Sequence, residues 1–285
     1  MHSILIADSG SSKTQWCLLT DNKKKMIFTQ GISPYFLNDE ALGVILTKEL
    51  LPKTGTAVIG EIYYYGTGCS NSTNVSLVKR GLKKIYKDAK IMVDHDLLGA
   101  AKALCGNDKG IACILGTGSN SCFYNGKKIV KNSLGLGFIL GDEGSGTHLG
   151  KKVLQYYLYN TFDAELMDKF KAKYTQTNAE ILNEVYKSEF PNRYLAGFVD
   201  FLIENRGHFM IENILEDSLN DFFFNHVYKY RESWSMPINF VGSVAYGFKD
   251  LLAQMCLEYE IKLGKVIKSP MDGLLKYHTQ LIQTS

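Results

Sequence analysis

Two stretches of the chain combine glycines with hydroxyl side chains in a pattern that suits the binding of an anion. The first, residues 4–14, reads ILIADSGSSKT, and the second, residues 115–121, reads LGTGSNS. Glycines let neighbouring backbone N–H groups turn toward one point, while serine and threonine hydroxyls supply further hydrogen-bond donors. Neither stretch contains GxxxxGKS or GxxxxGKT, and neither places GxGxxG between a strand and a helix. We therefore expect two anion-binding loops of another kind, each joining two strands of a hairpin.

A carboxylate stands directly before the first loop. Asp8 ends the apolar run and would repel a bound phosphate, because both groups are negatively charged. It can instead hold a magnesium ion through water, since Mg²⁺ keeps several waters and takes few carboxylates. The loop and the carboxylate together are compatible with a magnesium–nucleotide ligand. A capping role for Asp8 in the turn is the alternative.

Two further acidic residues, Asp142 and Glu143, lie between glycines in GDEGSG, residues 141–146, ahead of a helical pattern. Acidic residues are favoured at a helix start by the helix dipole. They can also accept hydrogen bonds from hydroxyl groups of a ligand or help to order a metal ion. The residues alone leave both interpretations open.

The elements that carry the two loops repeat along the chain. Residues 4–28 and 111–130 each read as a strand, a glycine–serine turn, a second short strand, a polar basic turn and a third strand. Gly10 and Gly118 occupy the same point of the two copies, 108 residues apart. Such a repeat predicts two similar domains, each beginning with an anion loop. Chance similarity between two hairpins is the alternative.

Strands and helices alternate around the repeated units. Residues 61–69 read as a buried strand, and residues 76–87 carry one apolar helical face. A helix follows Asp96, and Gly106 can end it in a left-handed conformation. Residues 144–230 are mostly helical in pattern, and a strand returns at 238. This alternation predicts an α/β fold.

Composition narrows the class of protein. The chain has 285 residues, enough for two domains, with 45% apolar and 21% charged side chains, which is ordinary for a globular protein. The net charge is only +3, so nucleic acid is not an expected partner. No apolar run approaches the roughly 20 residues that span a bilayer, and no signal segment precedes the first strand. The six cysteines include no CxxC pair, which predicts structural thiols in a reducing cytoplasm.

Five segments carry a family resemblance: ADSGSSKTQW, DHDLLGAAKAL, ILGTGSNS, LGFILGDEGSG and FVGSVA. In order and spacing they resemble the actin-like sugar kinase and Hsp70 superfamily, and within it the N-acetylglucosamine kinase and BadF/BadG/BcrA/BcrD ATPase branch. The resemblance implies an α/β, two-domain actin-like ATPase (ribonuclease H-like) fold with duplicated domains around an ATP cleft. It implies an N-terminal domain over 1–109, with a C-terminal helix over 270–285 packing back on it, and a C-terminal domain over 110–269.

The resemblance also implies roles for individual residues. The ATP phosphates would bind to Gly10, Ser11, Ser12, Lys13 and Thr14 of the first loop and to Gly116, Thr117 and Gly118 of the second. The adenosine would bind to Gly242, Ser243 and Ala245. The sugar would contact Thr117, Asn120, Gly137, Asp142 and Glu143, and Asp8 would hold the Mg²⁺ of the ATP.

Asp96 matches the aspartate that serves the family as catalytic base. A sugar hydroxyl that attacks a γ-phosphate must lose a proton, and a positioned carboxylate can accept it. Asp94 is a rival two residues away, but we favour Asp96 because the helix begins there. His95, between them, reads as a local hydrogen-bonding residue and not as a catalyst.

The substrate region departs from the family pattern at two points. Leu136 stands where the N-acetylglucosamine kinases carry a tryptophan that can stack on a pyranose ring. Their sugar-contacting asparagine has no clear counterpart in GISPYF, residues 31–36. The sugar is therefore either a different one or the same one held differently.

These features predict an ATP-dependent kinase that transfers the γ-phosphate of Mg-ATP to a hydroxyl of an amino sugar similar to N-acetylglucosamine, with a homodimer left open. The alternative is an ATPase that activates a partner dehydratase or reductase. That function needs an exposed cysteine just beyond a glycine loop, and we expect the nearest candidates, Cys105 and Cys122, to be buried. A non-catalytic sensor or filament protein is disfavoured, because Asp8 and Asp96 are both present.

Overall fold

The computed structural model describes residues 3–20 and 23–283, and the side chains of 281–283 lie outside that description. The chain forms two compact units. The first comprises Met1–Ala112, Tyr124–Ile129 and Ser269–Ser285, and the second comprises Cys113–Phe123 and Val130–Lys268.

The first unit is built on a five-stranded sheet with the strand order β3-β2-β1-β4-β5. Its first three strands pair antiparallel, and β4 and β5 add to β1 in parallel. The hairpin predicted around the first glycine loop is confirmed, because β1 pairs directly with β2 on either side of it. The strands are β1 (Ser3–Ser9), β2 (Lys13–Thr20), β3 (Lys23–Gln30), β4 (Ile59–Gly66) and β5 (Lys90–His95).

Helices cover both faces of this sheet. Leu5 and Ala7 of the central strand β1 belong to one core cluster, whereas Ile6 belongs to a second cluster with Leu274 of the last helix. A strand that is buried on both faces reads as a continuous apolar run, as residues 4–7 do. The helices are α1 (Asp39–Ile45), a π-helical turn (Leu46–Leu50), α2 (Leu51–Thr54), α3 (Ser72–Ile85), α4 (Asp96–Cys105) and α14 (Met271–Gln283).

Helix α4 begins and ends where the sequence predicts. His95 is its N-cap, and the His95 side chain accepts a hydrogen bond from the Leu98 N–H at 3.3 Å. Gly106 follows its last residue with φ of 63°, a positive value that favours glycine, although its ψ of −119° lies outside the left-handed helical region that we expected. The junction of β5 and α4 therefore falls between His95 and Asp96.

The second sheet has the strand order β10-β9-β6-β7-β8. When the strands of each sheet are numbered one to five along the chain, both sheets have the spatial order 3-2-1-4-5, the second sheet being read from the β8 edge. The repeated order confirms the predicted α/β fold with a duplicated sheet. The strands are β6 (Lys109–Leu115), β7 (Ser119–Asn125), β8 (Ile129–Asn132), β9 (Ile238–Val241) and β10 (Leu263–Ile267).

The predicted helical region between 144 and 230 is also confirmed. Its helices are α6 (Gly146–Leu158), α7 (Ala164–Lys173), α8 (Asn178–Lys187), α9 (Pro191–Ala196), α10 (Val199–Glu204) and α11 (Phe209–Phe222), followed by a π-helical turn (Phe223–Val227). The remaining helices of the second unit are α5 (Gly137–Leu140), a 3₁₀ turn (Arg231–Trp234), α12 (Ser243–Gly247) and α13 (Lys249–Glu258). Among the described residues, no helix has the length and apolar character needed to cross a membrane.

Candidate active site

The first glycine loop is a tight turn between β1 and β2. The Gly10 N–H donates to the Lys13 carbonyl at 3.0 Å, which closes the turn. Below it, the buried Ser9 Oγ lies 2.7 Å from Thr14 Oγ1 and donates to the Ile32 carbonyl at 3.2 Å. Thr14 therefore faces the protein interior. Ser11 is half-buried, and the other three residues predicted to bind phosphate are exposed: Gly10, Ser12 and Lys13.

Two carboxylates meet beside this loop. Burial and, to a smaller extent, the charge of Asp96 together raise the pKa of Asp8 to about 7, while Lys13 opposes the shift. The pKa of Asp96 is raised as well, mainly by burial, while His95 and a hydrogen bond from the Leu97 N–H at 2.8 Å oppose that shift. The first unit thus brings together the predicted metal residue and the predicted base.

Thr67 is a member of this cluster that the sequence did not reveal. Its side chain forms a hydrogen bond with Asp96, and its N–H donates to the Ser9 carbonyl at 2.8 Å. It lies between Gly66 and Gly68, in the turn that follows β4. That glycine turn was visible in the sequence, but its partner Asp96 is 29 positions away and meets it only because β4 and β5 are neighbours.

Asp94 has different surroundings from Asp96. Its Oδ1 accepts a hydrogen bond from the next residue's own N–H, that of His95, at 2.9 Å. The Asp94 side chain is 42% exposed, and the ring of His95 lies 3.6 Å from it. His95 is the N-cap of α4, as its predicted local role requires.

The donor set of this cluster fits a magnesium ion that keeps part of its water shell. Asp8 offers a hard oxygen ligand, and its repulsion by the nearby charge of Asp96 would be relieved by a divalent cation. Among residues 3–20 and 23–283, no group of three or more His, Cys, Asp or Glu side chains could enclose a metal ion. Water and phosphate oxygens would therefore complete the coordination of any ion held here.

The second glycine loop joins β6 to β7 and is held by the start of α6. The Gly116 N–H donates to the Gly118 carbonyl at 3.0 Å, and the Gly146 N–H donates to the Gly116 carbonyl at 2.8 Å. The Thr147 N–H donates to the Thr117 carbonyl at 3.0 Å, and the Thr147 hydroxyl donates to the same oxygen. Helix α6 thus occupies the backbone carbonyls of Gly116 and Thr117.

A pocket of about 240 Å³ opens beside this second loop. Gly116, Thr117 and Ser243 line it, so the structure joins one predicted phosphate loop to one predicted adenosine residue. Gly242 and Ala245 lie behind that wall: Gly242 packs against β6, and Ala245 is fully buried. The pocket's other lining residues, which the sequence did not reveal, are Gly146, Ala196, Val199, Asp200, Ile203, Val244, Gly247 and Phe248.

Asp142 is held against the second loop in an unusual backbone conformation. Its φ is 60°, a left-handed value that aspartate tolerates better than most residues. Its Oδ1 accepts a hydrogen bond from the Ser119 N–H at 3.2 Å, and a Cβ on Gly118 would come within 3.0 Å of its carboxylate. Ser145, not Asp142 or Glu143, caps α6, and the first turn of that helix holds no acidic residue. The helix-start interpretation of these two acids is therefore wrong.

Glu143 is joined to a histidine that the sequence did not reveal. Its Oε2 lies 3.2 Å from His226 Nε2, on the π-helical turn after α11. The Asn120 amide oxygen accepts a hydrogen bond from the Ser121 N–H at 2.9 Å. Gly137 is exposed, and Leu136 beside it is 52% exposed.

The cysteines bear on the alternative in which the chain drives a partner enzyme. Cys122 is fully buried in β7, as expected. Cys105, which we also expected to be buried, is only partly buried at the end of α4. It lies at a helix end and not beyond an anion loop, so it does not meet the requirement of that alternative. The other four cysteines are buried, and all six keep their thiols.

The chain is similar to known sugar kinases. No family model matches the chain. An N-acetylmuramic acid/N-acetylglucosamine kinase from Clostridium acetobutylicum is 25% identical over 243 residues, covering 78% of each chain. A crystal structure from Porphyromonas gingivalis, provisionally assigned as an N-acetylglucosamine kinase, is 38% identical with a TM-score of 0.92, covering 96% of this chain and 98% of that one.

More distant solved structures share the fold alone. A protein from Chromobacterium violaceum with the same provisional assignment is 16% identical with a TM-score of 0.73, covering 97% of this chain and 99% of that one. ROK-family sugar kinases are also among these neighbours. By its 38% identity over nearly its whole length to the Porphyromonas protein, the chain belongs to the N-acetylglucosamine kinase family of actin-like sugar kinases, enzymes that transfer a phosphoryl group to a sugar hydroxyl.

Proposed function

We propose that this chain is an ATP-dependent kinase of an amino sugar, similar to N-acetylglucosamine, and that Asp96 is its general base. The observation that carries the proposal is the pair formed by Asp8 and Asp96 at the first glycine loop. Each carboxylate has a raised pKa, and the charge of Asp96 acts on Asp8. A carboxylate of raised pKa is a better proton acceptor than an ordinary one, because general-base efficiency rises with basicity.

In this proposal the two carboxylates have different roles. Asp96, oriented by Thr67 and the Leu97 N–H, accepts the proton of the attacking sugar hydroxyl. Asp8 holds the Mg²⁺ of the nucleotide through water. The Mg²⁺, when bound, neutralises the charge of the phosphate oxygens. The N–H groups and side chains of the first loop (Gly10, Ser11, Ser12, Lys13 and Thr14) bind phosphate.

The second unit supplies the remaining contacts. Gly116, Thr117 and Gly118 bind phosphate, and Ser243, with Gly242 and Ala245 behind it, binds adenosine at the pocket beside the loop. The pocket supports this nucleotide site, because residues of the second loop and of α12, the helix after β9, line it together. The sugar contacts Thr117, Asn120, Gly137, Asp142 and Glu143. The Clostridium relative's acceptors, N-acetylmuramic acid and N-acetylglucosamine, belong in the first substrate panel.

We also propose the boundaries and setting of the enzyme. Its two actin-like domains are residues 1–109 with 270–285 and residues 110–269. Packing of α14 on α4 supports the assignment of the last helix, since a Cβ on Gly273 would lie 2.4 Å from the Ala103 carbonyl. Six cysteines that keep their thiols fit a reducing cytoplasm.

The test is the release of ADP from Mg-ATP with N-acetylglucosamine, N-acetylmuramic acid, N-acetylmannosamine, glucosamine, glucose or no sugar. Asp96→Asn should lower kcat by about 10²- to 10⁴-fold with little change in either KM, because asparagine keeps the shape but cannot accept the proton. Asp94→Asn is the matched control and should stay within a few-fold of wild type.

Two results would contradict the proposal. Release of ADP at the same rate without any sugar would indicate an ATPase that acts on a partner. Sugar-dependent turnover that survives in Asp96→Asn but is lost in Asp94→Asn would move the base to Asp94.

A further inference from the structure

The carboxylate of Glu143 is anchored on one side by two adjacent residues. Its Oε2 lies 3.2 Å from His226 Nε2, and its Oε1 lies 3.5 Å from the Asn225 Nδ2, a long and weak contact. The His226 side chain is 5% exposed and that of Glu143 is 19% exposed. The carboxylate is therefore held from inside the unit while part of it remains open to solvent.

A π-helical turn puts His226 in this position. The turn is closed by a hydrogen bond from the Tyr228 N–H to the Phe223 carbonyl at 3.0 Å, five residues apart, so it holds one residue more than an α-helical turn. The ring of Phe222 stacks on the imidazole with centroids 4.8 Å apart. π-Helical turns inside α-helices occur frequently at functional sites. Two consecutive side chains of this turn, those of Asn225 and His226, contact the one carboxylate.

The surroundings of His226 decide which nitrogen carries its proton. Burial lowers the pKa of His226, so the ring is neutral near pH 7. The carboxylate of Glu143 can only accept, and Nε2 must therefore carry the N–H that faces it. Nδ1 is then an acceptor for the Ser121 hydroxyl at 3.4 Å. Ser121 is held in turn by Tyr230, whose OH lies 2.9 Å from Ser121 Oγ.

Stability alone is a poor reason for this arrangement. A buried histidine and a carboxylate each lose hydration, and such pairs often contribute no more than well-packed apolar residues would. The pair does give Glu143 one orientation, directly after Asp142, which the Ser119 N–H holds against the second loop. An oriented, partly exposed carboxylate is suited to accept a hydrogen bond from a hydroxyl group.

From this geometry we infer that His226 is a positioning residue that holds Glu143 ready to accept a hydrogen bond from a sugar hydroxyl. The inference rests on the proposed function, because it needs a sugar at Glu143. His226 does not touch the substrate; its effect passes through the carboxylate.

The test separates sugar recognition from ATP recognition. In His226→Leu the KM for the sugar should rise about tenfold while the KM for ATP stays within twofold, since only the sugar contact loses its orientation. His226→Gln, which keeps an N–H donor, should recover most of that loss. In the Glu143→Ala background, His226→Leu should add no further increase, because both changes remove the same contact.

The matched control is His208→Leu. His208 also donates from Nε2 to a carboxylate, that of Asp163 at 3.0 Å, in the same unit. It should leave the KM for the sugar unchanged. If His226→Leu does not fold, Ser121→Ala gives a second route: loss of the hydroxyl that faces Nδ1 should raise the KM for the sugar about threefold.

The outcomes are distinguishable. Suppose that the wild type is active with the sugar. If His226→Leu then has the wild-type KM for the sugar, or if His208→Leu raises that KM equally, the inference is overturned and the proposed function stands. Multiplied effects in the double variant also overturn it, because His226 would then act independently of Glu143. A wild type that releases ADP without regard to sugar overturns the proposed function and this inference with it.

Discussion

At the scale of single residues, the raised pKa values of Asp8 and Asp96 come from their surroundings in the folded chain and not from their residue type. An aspartate in water has a pKa near 3.9 and is a weak base. Burial beside a second carboxylate raises the pKa of Asp8 to about 7, and burial also raises that of Asp96. Asp94, two residues from Asp96, is 42% exposed and lacks these surroundings. Two aspartates only two positions apart thus differ in their exposure and in their neighbours.

Gly242 offers a test at the residue scale of how the second loop is supported. Its φ is 134°, a value that side-chain-bearing residues rarely adopt, and an added Cβ would lie 2.1 Å from the Leu115 carbonyl. We expect Gly242→Ala to lower the free energy of unfolding by about 2–4 kcal/mol, because backbone strain adds to a clash with an immovable carbonyl. Urea unfolding followed by circular dichroism measures the change.

The control for this prediction is Gly247→Ala, at the end of the short helix α12 that Gly242 precedes. A Cβ there meets nothing within 4 Å, and alanine is the better helix former. It should leave the free energy of unfolding unchanged or raise it by a few tenths of a kcal/mol. If both variants lower the free energy of unfolding equally, the close approach of Gly242 to the Leu115 carbonyl of β6 is not the cause.

At the scale of elements, the last helix is tied to the first sheet through a buried histidine. His278 of α14 is 2% exposed, and its Nε2 lies 3.0 Å from the Tyr65 hydroxyl of β4. Lys102 of α4 donates to the same hydroxyl at 3.0 Å, so the tyrosine proton points to the histidine. The ring of Tyr63 stacks on the imidazole at 3.9 Å. Three elements of the first unit therefore meet at one neutral imidazole.

This contact predicts a pH dependence of stability. Burial, aided by the charge of Lys102, lowers the pKa of His278 from 6.5 to about 4. Between those values the unfolded chain binds a proton that the folded chain does not, so stability falls as pH falls. One pKa unit corresponds to about 1.4 kcal/mol, so the loss attributable to His278 should be about 3 kcal/mol between pH 6.5 and pH 4.

His278→Gln is the variant that measures this contribution. Glutamine can still accept from Tyr65 but does not titrate, so its unfolding free energy should fall less steeply with pH than that of wild type. Other buried groups, such as His148, contribute equally to both curves and cancel in the difference. Parallel curves from pH 7 to pH 4 would rule out His278 as the source.

At the scale of the whole molecule, both sheets have the same strand order, but the residues beside their glycine loops differ. Each sheet carries a glycine loop between its first two strands. In the first copy Asp8 precedes the loop, whereas the second copy has Gly116 at the corresponding position. One copy therefore offers a metal-compatible carboxylate and the other offers a backbone that α6 and a pocket can approach.

This division predicts how ligands stabilise the protein. Mg-ATP at 100 times its Kd should raise the free energy of unfolding by about 2.7 kcal/mol, since it binds only the folded chain. Part of that gain should vanish when EDTA removes Mg²⁺. In Asp8→Asn the Mg²⁺-dependent part should be absent, while Asp108→Asn, at an exposed turn, should behave as wild type. The measurement is thermal unfolding of each variant with ATP, in the presence and absence of Mg²⁺. A Mg²⁺ effect of wild-type size in Asp8→Asn would contradict the assignment of Asp8 to the metal.

Much of the fold could be predicted because its signals are local. The period of apolar residues distinguishes strands from helices, glycines end α4 and form both loops, and a spacing of 108 residues reveals the duplication. These features depend on neighbours along the chain. The order of five motifs was enough to predict the kinase family to which the chain belongs.

What only the tertiary structure decided are the partners that meet from distant parts of the chain. Thr67 reaches Asp96 because β4 and β5 are neighbours, and His226 reaches Glu143 because a π-helical turn after α11 faces the start of α6. Neither pair has a sequence spacing that could reveal it, since a hydrogen bond depends on distance in space. The same holds for protonation: Asp8 is an ordinary aspartate in the sequence, and its pKa of about 7 arises only from the burial and the neighbouring charge that folding supplies.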